Sequence, residues 1–359
     1  MVYIFYDLMY DKNINAQPIN LQIIRGTFMI IHILQALRGD CIIVDFENGK
    51  CVLIDGGYKA TFPKLKNKLM KLNNEGKILE YVILTHYDED HISGLIKFFE
   101  ENGEKGNEKI IPVDSVVCNQ FTDLYNILPF TEHEFRGEIS SRQQTTFEGL
   151  CQSKGWKLPP KDIISGDEIA GTDYLIKIIS PSDEALKKCR KKEYNLEQNI
   201  STKRSISGWL FKDISDWEKI DTGAELTCVN KASLAFEIIF GEKTLLFCGD
   251  ADMINYKELL LHKYNLIKLS HHGTYKGNES FCGNSPVIAD KYIISTNGQR
   301  KEHPSRRLLA EIIMQPHFKK IISNYNLSKI YSEQYYLLYD SIQQNKYHFS
   351  TKTTQTIIC

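Results

Sequence analysis

The chain has 359 residues and a formal net charge of −1. That length suits one large α/β domain with insertions, and the near-zero charge excludes a chain-wide attraction to nucleic acid or acidic membranes. Nine cysteines, an odd number with no Cys-x-x-Cys and with Cys41, Cys51 and Cys248 inside apolar runs, point to reduced core thiols in the cytoplasm rather than a disulfide framework.

Residues 1–27 read as an N-terminal arm, too acidic at Asp7 and Asp11 for a signal peptide. Thr27 to Leu37 is apolar but is broken by His32 and Gln35 and is too short to span a bilayer, so no membrane contact is expected. Three strands follow at Met29–Leu37, Cys41–Phe46 and Cys51–Ile54, separated by Arg38-Gly39-Asp40 and Glu47-Asn48-Gly49-Lys50 turns. The third ends in Asp55-Gly56-Gly57, and Phe62–Leu72 is an amphipathic helix with Leu65, Leu69 and Leu72 on one face. A strand at Tyr81–Leu84 runs into LTHYDEDHISG, with a helix expected from Ser93. Residues 112–228 read mostly as an insertion or cap, with a strand at Ser115–Cys118, another at Tyr174–Ile179 and a helix over Glu184–Lys192. Regular patterning returns with a hairpin at Ala232–Phe240 and Lys243–Cys248. Helical residues 259–261, strands at Leu266–Leu269 and Tyr292–Thr296, and a helix at Arg307–Met314 follow. The domain is thus expected over 28–330, with 331–359 as a C-terminal packing segment that includes the tyrosine-rich Tyr331–Tyr339.

The array His86, Asp88, Asp90, His91 sets four metal-ligating side chains within six residues at the mouth of a strand. Packing or a solvated surface does not call for that pattern. Strand ends at Asp55, at Asp250 and at His271-His272 offer further ligands, all nitrogen or oxygen, which suits zinc, manganese, iron or magnesium. The excess over one tetrahedral ion suggests two ions about 3.5–4 Å apart, able to generate a hydroxide nucleophile and clamp the attacking and leaving oxygens.

These segments together resemble the metallo-β-lactamase superfamily, in the branch typified by the metallo-hydrolase domain of the DNA-uptake competence protein ComEC. LRGDCIIVDF…VLIDGG, LTHYDEDHISGL, NKASLAFEI, LLFCGDAD, LIKLSHHGT and YIISTNGQRKEHPS are similar to that family's motifs and come in its order. The resemblance covers roughly residues 28–330 and implies the α/β fold of that family, an αββα four-layer sandwich with an insertion or cap. It implies one divalent ion on His86, Asp88 and Asp250, and a second on Asp90, His91, Asp250 and His271, with manganese, zinc or magnesium as the metal. Asp55 would orient a ligand histidine. Asn230 or Ser233 stands where a third histidine is usual, and Asp88 stands where most hydrolytic members have histidine. A carboxylate there hardens the site towards manganese or magnesium. Asp90 would orient or deprotonate the water, Thr274, His272 and His303 would contact a phosphate or protonate the leaving oxygen, and Lys268, Arg306 and Arg307 would be charge partners for substrate.

The reading that results is a two-metal hydrolase of phosphodiester bonds, a nuclease acting on DNA in a processing or antiviral defence role, with possible protein partners in a multi-component system. The run Lys187–Lys192 is either a solvated helix face or a clamp for a nucleic-acid backbone. Alternative readings are hydrolysis of a small ester, thioester or cyclic nucleotide on the same site, and a metal-stabilised interaction subunit with little catalysis.

Overall fold

The computed structural model describes residues 28–120, 139–195, 226–299, 303–313, 315, 320–325, 347–349 and 354–359. The arm at 1–27 and the stretch 331–339 lie outside them. Strands β1 (Ile30–Leu34), β2 (Ile42–Asp45) and β3 (Lys50–Ile54) form an antiparallel meander. Helix α1 (Phe62–Asn74) leads into β4 (Ile78–Ile83), and helix α2 (Glu89–Asn102) into a small hairpin of β5 (Gly103–Glu104) and β6 (Asn107–Glu108), then β7 (Val113–Val117). Next come α3 (Ile139–Ser153), β8 (Glu168–Ala170), β9 (Leu175–Ser180), α4 (Asp183–Asn195) and α5 (Cys228–Lys231). The second half holds β10 (Ala235–Phe240), β11 (Lys243–Phe247), β12 (Lys263–Tyr264), β13 (Leu266–Lys268), β14 (Ile288–Ala289) and β15 (Tyr292–Ile294). Helix α6 (Arg306–Ile313) and strands β16 (Ile321–Ser323), β17 (Tyr347–Phe349) and β18 (Thr354–Ile358) complete the described elements.

Two sheets carry the architecture. One has the order β18-β1-β2-β3-β4-β7 and the other β17-β16-β15-β13-β11-β10-β9-β8. Their facing sides share one core. Ile31, Ile33, Val44, Val52 and Ile54 come from the first sheet, and Ile176, Phe236, Ile238, Leu245 and Ile293 from the second. Residues one step out of phase point the other way, as period-2 strands require. Cys51, Leu53 and Val82 meet Leu65, Leu69 and Leu72 of α1 and Ile92, Leu95 and Phe98 of α2, while Leu246, Ile267 and Ile294 meet Leu308, Leu309 and Ile312 of α6. The fold is therefore α/β, an αββα four-layer sandwich. Cys41, Cys51 and Cys248 are buried free thiols in these cores.

Residues 112–228, expected as an insertion or cap, supply β7 to the first sheet and β8 and β9 to the second. Their apolar positions serve two separate sheets and are spaced by long polar stretches, so no continuous pattern marks them in the sequence. The 331–359 segment likewise ends in strands: β17 pairs with β16, and β18 runs antiparallel to β1, His32 opposite Thr356. Residues 253–259 form a 3₁₀ turn, so the expected helical residues 259–261 fall at its end and beyond.

Strands β3, β4 and β7 are mutually parallel, as are β11, β13, β15 and β16. Their carboxyl ends thus open on one rim, where Asp55 follows β3, His86 follows β4, Asp250 follows β11 and His271 follows β13. Ligand-bearing loops collect at that rim in open α/β sheets.

Candidate metal centre

The array does not sit wholly in a loop. Helix α2 begins at Glu89, four residues earlier than the sequence suggests, with Asp88 as its N-cap residue. His86 and Asp88 therefore approach from the strand-to-helix connection, while Asp90 and His91 project from the first helical turn. Glu89 and Asp90 in that turn complement the positive end of the helix dipole.

The turns beside it are tightly nested. Gly94 of α2 lies so close to the Asp55-Gly56-Gly57 turn that a Cβ there would stand 2.0 Å from the Gly56 carbonyl oxygen. The Gly94 N–H donates to the Gly57 carbonyl and the Gly56 N–H to the His91 carbonyl, each at 2.8 Å. Asp55 itself has φ 56°, and His271 (φ 45°) and His272 (φ 57°) are two consecutive left-handed residues. Such backbone costs about 1–3 kcal/mol per non-glycine residue and persists where the surroundings over-determine it. Both adjacent histidines consequently face the same carboxylate.

Asp250 is the hub. Its Oδ1 lies 3.5 Å from His91 Nε2, and its Oδ2 lies 3.7 Å from His86 Nε2, 3.8 Å from His271 Nε2 and 3.7 Å from His272 Nε2. Asp88 Oδ2 is 3.6 Å from His86 Nε2, and Asp90 Oδ2 is 3.4 Å from His272 Nε2. Donors sharing one ion at ~2.0–2.2 Å stand roughly 3.0–3.6 Å from one another, so the separations match ligand spacing better than hydrogen bonding. Among the described residues, Nε2 of His86, His91 and His272 and Oδ1 of Asp250 and Asp40 are buried with no hydrogen-bond partner. Buried polar atoms are normally paired. Four of them converge, with Asp40 Oδ1 behind His272, and a convergence without pairing fits a divalent cation.

The remaining ring nitrogens fix which face each histidine offers. His91 Nδ1 lies 2.8 Å from Asp55 Oδ2, and the carboxylate can only accept, so Nδ1 carries the hydrogen and Nε2 faces inward. Thr85 spends its own hydroxyl hydrogen on Asp55 Oδ2 at 2.8 Å, which leaves its oxygen to accept from His86 Nδ1 at 3.0 Å. His272 Nδ1 lies 3.1 Å from the Ser295 carbonyl oxygen, an acceptor. Three imidazoles thus present Nε2 to the cage, each oriented from behind. Asn230 Nδ2 donates to Asp250 Oδ2 at 3.1 Å, and Ser233 Oγ accepts the Asp250 N–H at 3.1 Å beside His86 Nδ1. These two residues, standing where the resemblance would place a third histidine, brace the hub.

The cage is electronegative. Burial works against protonation of His91, but the charges of Asp250 and Asp55 hold it well above the usual histidine range. Burial likewise opposes His272, whose value is raised to about 9 by Asp250 and by its contacts with Asp40 and Asp90. Burial raises Asp90 and Asp250, yet their histidine neighbours bring both below the usual carboxylate range. Where the cage holds a metal cation, protons leave these rings.

Asp40 is the site residue that sequence reading passed over. It is buried, faces His272 Nδ1 at 3.5 Å and groups with His91, Asp250 and His272 as potential ligands. Its only signal was the Gly39-Asp40 turn, where an aspartate reads as a turn former. His303 is buried, its ring 4.8 Å from that of His271. His272 lies deeper than His271, and its Nε2 meets Asp90 Oδ2 at 3.4 Å.

The expected substrate cations are placed differently. Lys268 is fully buried, because its β13 position points into the protein, and its ammonium pairs with Asp40 and the Leu269 carbonyl. Arg307 packs over the Tyr275 ring at 4.0 Å and donates to Glu311 at 2.7 Å, while Arg306 opens α6 beside it. Thr274 gives its hydroxyl hydrogen to the Lys276 carbonyl at 2.7 Å. Within the basic run, Arg190 turns inward to Asp162, with two contacts at 2.6 Å, and Lys187 pairs with Asp183. That run is a helix face with one internal anchor.

A family model for the metallo-beta-lactamase superfamily matches residues 34–105, the span holding Asp40, Asp55 and the His86–His91 array. The match supports a place for the chain in that superfamily. Three solved structures are similar to the chain at low identity. The metallo-beta-lactamase fold protein YhfI from Bacillus subtilis is 9% identical over 92% of this chain and 100% of its own, with a TM-score of 0.42. Zn(2+)-bound PqqB from Methylobacterium extorquens is 12% identical over 92% and 99%, with a TM-score of 0.44. CmlA, a diiron beta-hydroxylase from Streptomyces venezuelae, is 10% identical over 92% of this chain and 54% of its own, with a TM-score of 0.41. No curated protein matches the sequence. Among the described residues no helix is long and apolar enough to cross a membrane.

Proposed function

We propose that the chain is a two-metal hydrolase of phosphodiester bonds, with DNA as the favoured substrate. The observation that carries the metal reading is Asp250, whose two oxygens face different histidine nitrogens at ligand spacing. His86, Asp88 and Asp250 would hold one ion. Asp90, His91, Asp250 and His272, with His271 beside them, would hold the other, and Asp40 stands behind His272. Bound divalent ions would supply Lewis-acid polarisation of the electrophile and lower the pKa of a water.

The chain's own groups do the rest. Asp55, Thr85 and Ser295 keep the ring hydrogens on Nδ1, so each Nε2 lone pair stays directed into the cage. Asp90 is ionised and meets His272 at its Oδ2, where it would orient a water or accept its proton. His303, beside His271, would deliver a proton to a leaving oxygen. The choice of phosphodiester rests on the oxygen-rich donor set, three aspartates with the histidines, and on the likeness of six ordered motifs to the ComEC branch. A defence or DNA-processing role follows that likeness and is analogy at the level of fold.

Hydrolysis of a small ester, thioester or cyclic nucleotide is the second reading. It is favoured by the pairing of Arg190 with Asp162 and of Lys268 with Asp40, which spends both cations inside the protein. The test is incubation of purified protein with plasmid and single-stranded DNA in manganese, magnesium or zinc, beside an Asp90→Ala/His91→Ala control. Cleavage lost in the control supports the nuclease. Ester turnover without DNA cleavage moves the assignment to the second reading, and failure to retain any metal leaves an interaction subunit.

A further inference from the structure

Asp40 and Asp55 reach the cage from two loops, and residues beside them meet outside it. Arg38 Nη2 donates to the Tyr58 hydroxyl at 3.0 Å, with the guanidinium 5.7 Å from the ring centroid. Both loops are anchored on the turn that carries Asp90 and His91. The Asp40 N–H donates to the Asp90 carbonyl at 3.2 Å, and the Gly56 N–H to that of His91 at 2.8 Å. Gly39 approaches so closely that a Cβ there would stand 1.9 Å from the Asp90 carbonyl oxygen. Burial, and then the Asp90 charge, push the Tyr58 phenol up, which fits a hydroxyl near that carboxylate.

The loop that carries Arg38 is pinned. Leu37 is left-handed at φ 63°, its N–H donates to the Tyr325 hydroxyl at 2.9 Å, and its carbonyl accepts from the Asn297 N–H at 2.8 Å. Strain of this kind survives only where neighbours hold the backbone. It fixes the point from which Arg38 extends.

Lys268 is spent on Asp40, Lys276 on Glu279 and Arg307 on Glu311. Among the described residues no carboxylate lies within ion-pair range of Arg38, which is exposed. Tyr58 takes one of five guanidinium hydrogens, and the others remain as a planar fork that matches two phosphate oxygens at once.

We propose that Arg38, oriented by Tyr58, is the anion-binding arm of this centre and takes the non-bridging oxygens of a phosphate group, an assignment that rests on the phosphodiester reading above. The probe is inorganic phosphate, titrated calorimetrically into manganese-loaded protein, with bound metal per chain measured for each variant. Arg38→Gln is expected to weaken phosphate at least tenfold at unchanged metal content. Arg38→Lys should recover only part of that loss, and Tyr58→Phe should weaken phosphate a few-fold. The arm is overturned if Arg38→Gln binds phosphate as wild type does, or if wild type binds none. Plasmid cleavage is scored separately. Protein that loses phosphate with Arg38 but cuts no DNA keeps the arm and loses the nuclease; the converse pattern keeps the nuclease and loses the arm.

Discussion

Asp55 Oδ2 and His91 Nδ1 stand 2.8 Å apart, both fully buried, and this contact decides which nitrogen His91 turns towards Asp250. Asp55→Asn puts an amide where Thr85 N–H and Thr85 hydroxyl now donate, so the ring loses its fixed acceptor. Loss of such a partner costs about 10–100-fold in metal affinity. Competition with a chelator, beside a circular dichroism spectrum showing an intact fold, measures it. Unchanged affinity would remove Asp55 from the centre.

Asp88 is the departure that hardens the site. It lies 3.6 Å from His86 Nε2 and is part-exposed, so histidine can replace it without disturbing the core. Asp88→His is expected to shift preference from manganese towards zinc, because imidazole suits zinc and carboxylate suits manganese. Paired titrations of both metals into wild type and variant test this, and equal ratios in the two proteins would refute it.

Asp250→Asn should cost more than Asp88→His. The hub faces four histidine nitrogens, and replacing its carboxylate by a neutral amide removes the shared anionic ligand. Elemental analysis of metal per chain should fall towards zero. The rise in melting temperature on metal addition, which a ligand specific for the folded state must produce, should vanish with it.

Gly94→Ala tests the nesting of α2 on the Asp55 turn. Its new Cβ would meet the Gly56 carbonyl at 2.0 Å, an overpacking that costs about 1–3 kcal/mol or more. Gly149, on α3, has nothing within 4 Å, and Gly149→Ala should leave stability unchanged or raise it by up to ~1 kcal/mol. Chemical denaturation of both variants separates the two expectations.

His32 gives a pH dependence away from the centre. Burial first, then the charges of Lys68, Lys77 and Lys71, lower it to about 3. Its folded value lies below the unfolded value, so below that unfolded value only the unfolded chain takes the proton. Stability is therefore full above about pH 6.5 and falls as pH drops towards 3, by up to ~5 kcal/mol. His32→Gln should flatten the acid limb of a stability-against-pH curve.

The sandwich and most of the cage were legible because short continuous apolar runs end in acidic and histidine residues, as at Cys51–Asp55 and Tyr81–His86. What stayed hidden depends on backbone conformation or on distant pairing. Two left-handed residues bring both His271 and His272 onto Asp250, whereas alternation along a strand would choose one. Asp40 gains its meaning from Lys268 and His272, more than two hundred residues away. Lys268 reads as available to substrate until β13 is seen to bury it.

The antiparallel pairing of β18 with β1 has a kinetic side. His32 and Thr356, partners across that ladder, are 324 positions apart in the chain. At synthesis rates of ~5–20 residues per second, roughly 15–65 s separate the making of the two strands. Through that interval β1 offers an uncovered row of amide and carbonyl groups, the template on which nascent chains stick to one another. Crowded translation of this protein is thus expected to favour association through β1, and the remedy is a chaperone or a supplied β18 peptide, not a better core.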